Sequence, residues 1–167
     1  EFDVGDRVLA MTGFGGYSEK VSIPSNRVFK LPDSVTFDQA ASIPVTYGTA
    51  YHMLFHLGRI SPGDSVLIHH AAGGVGTAVA QLCKVAGASI VIGTASTSKR
   101  EFVESIGVKF VDRESEDFVK ICKEMTGGKG VHHAIDPVGG SNLMRSYKAT
   151  RRGGKVYFFG ASSAVKG

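Results

Sequence analysis

The run His70-Ala71-Ala72-Gly73-Gly74-Val75-Gly76 follows an apolar pentapeptide, Ser65-Val66-Leu67-Ile68-His69. After it, Val75, Ala78, Val79, Leu82 and Ala86 recur at helical spacing until Gly87. A buried strand, a glycine-rich bend and an amphipathic helix in that order make an anion cradle. Glycine lets the backbone approach a bulky charged group, and the first N–H groups of the helix point at it together with the positive end of the helix dipole. Against the dinucleotide fingerprint, Ala71 takes the first glycine position, Gly73 the second and Gly76 the third. Gly73 then admits a pyrophosphate, and Gly76 lets the helix lie close against the strand. The alternative is a tight strand-to-helix turn without a ligand.

The end of the next strand decides which dinucleotide fits. Folds that take NAD place an acid about 20 residues on, where it holds the ribose 2′-hydroxyl. Here the corresponding stretch is Ile92-Gly93-Thr94-Ala95-Ser96-Thr97-Ser98-Lys99-Arg100, and no acid occurs from Ser65 to Arg100. Hydroxyls and two cations stand where a carboxylate would repel a 2′-phosphate, so the expectation is NADP(H) rather than NAD(H). Cations at a helix start oppose its dipole, which argues for a purpose other than helix stability.

Metal chemistry finds little support. Cys83 and Cys122 lie on amphipathic helical segments and read as core residues. His52 and His56 share a helical face without a nearby third ligand, while His69-His70 and His132-His133 alternate across strands. No metal is expected. With 43% hydrophobic and 20% charged residues the chain is neither disordered nor a coiled coil. No apolar run approaches the roughly 18 residues of a membrane span. The net charge of +4 is mild. Its one basic cluster, Arg145, Lys148, Arg151, Arg152 and Lys155, carries no nucleic-acid motif, so no nucleic-acid partner is expected. Two cysteines are too few for a disulfide framework, so a reducing, cytoplasmic setting is expected. The polar start Glu1-Phe2-Asp3-Val4-Gly5-Asp6 has no secretion signal, and it reads as the interior of a longer protein.

The elements that position these residues fall into two groups. Up to about residue 45 the chain predicts short strands at Asp6–Met11, Tyr17–Ile23 and Val28–Leu31. Thr36 and Gln39 then form a capping box for an alanine-rich helix stopped near Pro44, and a longer helix runs from about Thr46 to Leu57. From Ser65 onward strand and helix alternate. Strands are expected at Ser65–His69, Ser89–Ile92, Val108–Val111, Val131–Ile135 and Lys155–Phe159. Helices are expected after the glycine loop, from a capping box at Ser98–Glu101, from a Ser115 cap and from about Ser141. In the helices opened at Ser98 and at Ser115, Phe102, Val103 and Ile106, and Phe118, Ile121, Cys122 and Met125, are expected to face inward. Such crossovers build a doubly wound parallel α/β sheet of the Rossmann type.

Taken together, Val66 to Gly76, Ala40-Ala41-Ser42-Ile43-Pro44, Thr49-Ala50-Tyr51, Asp136-Pro137-Val138-Gly139-Gly140 and Gly153 to Gly160 resemble one family. It is the quinone oxidoreductase branch of the medium-chain dehydrogenase/reductases, in the zinc-free, VAT-1-like subgroup. The resemblance implies that residues 1–45 end a GroES-like barrel domain and that 46–167 are an incomplete Rossmann domain. By position it places the phosphate loop on Ala72, Gly73, Gly74, Val75 and Gly76, and adenosine-side contacts on Ser96 and Lys99 with Arg100 beside them. Further cofactor contacts fall on Val138, Asn142, Phe159 and Gly160, and the nicotinamide contact on Thr49 with Thr46. Zinc relatives carry a cysteine ligand within the stretch matching Ala40–Pro44, where this chain has none. Where many quinone reductases have Tyr or His after the third strand, this chain has Asp112.

The activity so implied is NADPH-dependent hydride transfer to a quinone or other α,β-unsaturated carbonyl. No proton donor is assigned, although Tyr47 and Thr49 are expected near the cleft. The same loops occur in enoyl-thioester reductases, and the VAT-1 likeness also fits a non-catalytic cofactor-binding or membrane-associated adaptor. The resemblance further implies a homodimer for the full-length protein and no turnover by these 167 residues alone.

Overall fold

The computed structural model describes residues 1–165 and divides after Gly48 into two compact units. In the first, β1 (Val8–Ala10) pairs antiparallel with β2 (Val28–Lys30), Leu9 opposite Phe29. The Arg7 guanidinium donates to the carbonyls of Pro32, Asp33 and Val35 and lies 4.7 Å from the centre of the Phe37 ring. That places the start of α1 (Phe37–Ser42), which opens on the expected capping box. The Gln39 amide donates to Thr36 Oγ1 at 3.2 Å, and the Thr36 amide to Gln39 Oε1 at 3.0 Å. The strand expected over Tyr17–Ile23 does not form. The stretch is turn and irregular backbone, with Tyr17 and Val21 exposed. Alternation alone cannot hold a strand that has no ladder partner.

Beyond Ser42 the helix does not stop at Pro44 but widens into a π turn, Ile43–Tyr47. Proline has no N–H to donate and crowds the carbonyl four residues back, so the regular ladder is interrupted there. The helix expected from Thr46 to Leu57 is therefore built differently. α2 (Gly48–Tyr51) is short, and a second π segment, His52–Gly58, ends on left-handed Arg59. Lys155 Nζ donates to the carbonyls of Leu57 and Gly58 at 2.9 and 2.8 Å, satisfying that helix end.

The second unit, from Thr49 onward, is a parallel sheet. Its strands are β3 (Ser65–His69), β4 (Ile90–Ala95), β5 (Lys109–Asp112), β6 (Val131–Asp136) and β7 (Thr150–Phe158), in the order β5-β4-β3-β6-β7. The crossovers carry α3 (Gly74–Val85), α4 (Arg100–Ser105), α5 (Phe118–Met125) and α6 (Ser141–Ala149). Every residue of β3 is buried, as a strand covered on both faces requires. Leu67, Ile92, Val111, Phe118, Cys122, Val131, Ala134 and Ala149 form a core cluster. The chain winds from β3 outward to β5, then returns to lay β6 on β3's other side. That reversal opens a crevice beyond the carboxyl ends of β3 and β6, where wound sheets bind ligands.

Local details differ from the sequence expectation. The Ser98–Glu101 capping box is absent: Thr97–Lys99 forms one 3-10 turn, and Ser98 Oγ pairs with Ser96 Oγ at 3.2 Å. Ser115 does not cap α5. Its amide donates to Asp112 Oδ1, and Asp117 serves instead by accepting from the Val119 amide at 3.1 Å. Phe102 and Met125 face solvent rather than the core, and β7 begins at Thr150, five residues before the expected start.

The alanine in the first fingerprint position has a structural counterpart. Ala71 is fully buried, and a Cβ built on Gly93 of β4 would stand 2.6 Å from the Ala71 Cβ and 2.6 Å from Val108 Cγ1. The methyl that Ala71 adds is thus accommodated by the side chain that Gly93 lacks. Gly93→Ala is expected to destabilise the chain by about 2 kcal/mol, an overpacking cost. Ala71→Gly in the same chain should recover part of that loss, the Val108 clash remaining. Urea unfolding of the single and double variants measures the coupling, and additive losses would contradict the pairing.

Candidate functional site

His70 closes β3 in the left-handed region at φ 54°, and the Gly73 amide donates back to its carbonyl at 2.8 Å. The chain thereby turns directly into α3. Gly73 is the N-cap and offers no side-chain cap, so the helix begins with its first amides unclaimed by a capping residue. A Cβ on Gly76 would lie 2.4 Å from the His70 carbonyl oxygen and 2.8 Å from the Ala71 Cα, so only glycine lets α3 sit this close to the turn. At Gly73 the corresponding approach to the His70 oxygen is 3.2 Å. A bare, twelve-residue helix start at the mouth of the crevice fits the pyrophosphate of a dinucleotide.

The other side of the crevice is built on Asp136, the last residue of β6 and fully buried. Its Oδ1 accepts from the Val138 and Gly139 amides at 2.8 and 3.0 Å, and its Oδ2 from Asn142 Nδ2 at 3.0 Å and Ser146 Oγ at 2.7 Å. Burial alone would raise its pKa. The hydrogen bonds from Ser146, Gly139 and Val138 outweigh that and hold the carboxyl below its ordinary value. His69 lies within hydrogen-bond distance of Ser146 Oγ through Nε2 (2.9 Å) and of Thr94 Oγ1 through Nδ1 (2.8 Å). Burial pushes the imidazole down to about 4, against the pull of the Asp136 charge, so it is neutral near pH 7. His69, His70, Thr94, Arg113, Glu114, Val138, Asn142, Ser162 and Ser163 enclose a hollow of about 430 Å³.

The expected site residues divide among several places. Val138 and Asn142 share that hollow. Phe159 and Gly160 run beside them, the Phe159 amide donating to the Asp136 carbonyl at 3.2 Å and Gly160 lying against Pro137. Ala72 and Lys99 meet in a second hollow of about 520 Å³ with Ser98, Glu101, Phe102 and Ser105. Lys99 has no ion pair there among the described residues. Arg100 is engaged elsewhere, 3.4 Å from Glu104 Oε1 and 4.2 Å from the centre of the Phe110 ring. Ser96 ends on its contact with Ser98. Thr46 belongs to the first unit, where its hydroxyl donates to the Ser42 carbonyl; Thr49 lies on α2 in the second. Another hollow, about 610 Å³, opens at the opposite edge, by the starts of β4 and β5, away from the cradle.

The residue beyond the third strand needs correction. β5 extends one residue further than expected, so Asp112 ends it and Arg113 is the first residue past it. The Asp112 carboxylate turns inward, accepting from the Thr97 hydroxyl and from the Glu114 and Ser115 amides at 2.8 and 2.9 Å. Those bonds, led by Thr97, hold it well below the usual carboxylate range. Arg113 is the side chain that lines the hollow. His69, Thr94, Asp136, Ser146 and Arg113 carry much of this site, and sequence reasoning did not single them out. Only Asp136, an acid closing an apolar strand before Pro-Val-Gly-Gly, left a readable signal.

Among the described residues no group of three or more His, Cys, Asp or Glu could hold a metal ion, and no helix is long and apolar enough to cross a membrane. Burial raises both thiols, Cys83 and Cys122, to about 12.

Residues 74–166 match a family described as zinc-binding dehydrogenase. The chain is 41% identical, over 98% of its length, to 42% of the human synaptic vesicle membrane protein VAT-1 homolog. It superposes with a TM-score of 0.88 and 37% identity on a quinone oxidoreductase of Pseudomonas syringae, covering 97% of this chain and 50% of that one. An Escherichia coli quinone oxidoreductase complexed with NADPH gives a TM-score of 0.88 and 35% identity, again covering 97% and 50%. The chain therefore spans about half the length, or somewhat less, of these relatives.

Proposed function

Since the chain belongs to the zinc-binding dehydrogenase family, in the VAT-1-like quinone oxidoreductase branch of the medium-chain dehydrogenase/reductases, we propose that its protein is an NADPH-dependent reductase of quinones or other α,β-unsaturated carbonyls. The observation that carries the reading is the uncapped start of α3, held against the β3 turn by the absence of a side chain at Gly76. Gly73, Gly74, Val75 and Gly76 would hold the pyrophosphate, with Ala72 and Lys99 on the adenosine side. Val138, Asn142, Phe159 and Gly160 would line the nicotinamide side. Thr49 and Thr46 keep the role that the resemblance implies. The bound cofactor supplies the hydride. The protein's part is to fix the donor against an electron-poor carbon, and a conjugated carbonyl accepts hydride there without a metal. The stretch Ala40–Pro44, without cysteine, supports a zinc-independent reaction.

NADPH rather than NADH is favoured by Lys99, whose ammonium has no ion pair among the described residues and which lines one hollow with Ala72. Fluorescence titration of the intact protein is expected to give at least tenfold tighter binding of NADPH, with Lys99→Ala removing most of the difference, about 1.4 kcal/mol. Arg100→Ala should matter less, because Glu104 and Phe110 already hold that guanidinium. Equal affinities for the two coenzymes, unchanged in both variants, would refute the preference. NADPH oxidation with a quinone, a simple enone and an enoyl thioester then ranks the substrate classes. Binding without turnover on any of the three would favour a non-catalytic role.

A further inference from the structure

β4 lies between β5 and β3, and an inner strand of a wound parallel sheet is normally covered on both faces. Ile92–Ala95 are buried, but Ile90 and Val91 at the strand's start are partly exposed. The reason is length. α4 has six residues and is about 9 Å long, whereas the six residues of β4 span about 20 Å. A Cβ on Gly93 would meet Val103 Cγ1 of α4 at 3.7 Å, so the helix lies over the middle of the strand. Val91, two residues earlier on the same face, is left without that cover. The gap is the hollow of about 610 Å³, whose apolar lining includes Val91, Ala88 and Ile106. Lys84 of α3 and Lys109 of β5 line it too, and neither has an ion pair among the described residues. Glu104, the acid of the lining, is already held by Arg100 at 3.4 Å. The Ser89 and Ser105 hydroxyls donate to the carbonyls of Asp64 and Phe102. Two positive charges thus stand beside uncovered apolar surface.

We propose that this hollow is a second ligand site, apart from the dinucleotide crevice, for a small amphipathic anion: a carboxylate on a short apolar chain. The carboxylate meets Lys84 and Lys109, and the chain covers Val91 and Ile106. The volume lies within the roughly 300–1,000 Å³ of small-molecule sites. Exposed lysines, screened by salt, hold a bare anion only weakly, so the apolar body is what makes the ligand stay. The inference stands independently of the cofactor reading, because none of these residues belongs to the glycine cradle.

Calorimetric titration of the intact protein with octanoate, octylammonium and acetate, each with and without NADPH, tests the site. Octanoate is expected to bind at least tenfold more tightly than either of the others, with or without the coenzyme. Lys84→Ala and Lys109→Ala should each weaken it about threefold, and the double variant about tenfold. Both lysines are exposed, so their truncation spares the core, and NADPH affinity should stay within twofold in all three variants. Octylammonium binding as tightly as octanoate would overturn the charge assignment, and acetate doing so would overturn the apolar one. Octanoate displaced by NADPH, unaffected by the double substitution, or without measurable binding would overturn the site itself. A protein that takes octanoate as described but not NADPH would overturn the cofactor reading and leave this inference standing.

Discussion

Gly76→Ala is expected to lower NADPH affinity more than a hundredfold and to destabilise the chain by about 3 kcal/mol. The three nearest atoms the new methyl would meet are all backbone: the His70 carbonyl oxygen at 2.4 Å and the Ala71 Cα and carbonyl oxygen at 2.8 Å. None of these can swing aside as a side-chain end would. The start of α3 must back away from the turn, and the amides aimed at the crevice move with it. Gly73→Ala provides the contrast, since its approach to His70 is 3.2 Å and its φ of −82° suits any residue. That variant should fold with a loss below about 1 kcal/mol, so a fall in affinity there reports the ligand approaching the backbone. Urea unfolding and coenzyme titration of both variants check the pair. A Gly76→Ala protein with unchanged stability and affinity would mean that α3 does not pack as described.

Asp136→Ala is the second large effect, expected to cost about 3 kcal/mol because four donors lose their only shared acceptor. The Val138 and Gly139 amides, Asn142 Nδ2 and Ser146 Oγ all depend on that carboxylate. The same network makes stability depend on pH. Burial lowers His69 from 6.5 to about 4, so between those values the unfolded chain binds a proton that the folded chain refuses. His69's neutral form therefore contributes fully above pH 6.5, and its contribution fades as pH falls toward 4. The total is on the order of 3 kcal/mol. Asp136, held below its ordinary value, acts in the same sense at lower pH. Unfolding free energies measured from pH 7.5 to 4 should fall less steeply in His69→Gln than in the parent. Parallel curves would show that His69 is not buried as a neutral group.

The alternation of β-branched and apolar runs with amphipathic segments made the wound sheet readable, because crossover helices leave few other arrangements. The glycine loop was legible for the same reason, since strand, bend and helix are contiguous. The Thr36–Gln39 cap was equally local. Reading failed where a residue's role depends on a distant partner. Tyr17–Ile23 alternates like a strand but pairs with no strand among the described residues. Ser98 and Ser115 have the side chains of caps, yet the Ser98 hydroxyl pairs with that of Ser96, and the Ser115 backbone amide donates to the Asp112 carboxylate while Asp117 takes the cap. His69 and Thr94 are 25 residues apart and meet only through the β3–β4 register. Asp136 reaches Ser146 only because α6 folds back over β6. The first-position alanine, which weakens the fingerprint on paper, becomes intelligible once Gly93 is seen opposite it.

A crystal structure of the intact protein with NADPH tests the central claim most directly. The account predicts pyrophosphate oxygens about 3 Å from the amides at the start of α3, between Gly73 and Gly76. A coenzyme whose phosphates lie elsewhere, with that helix start facing only protein or solvent, would contradict it.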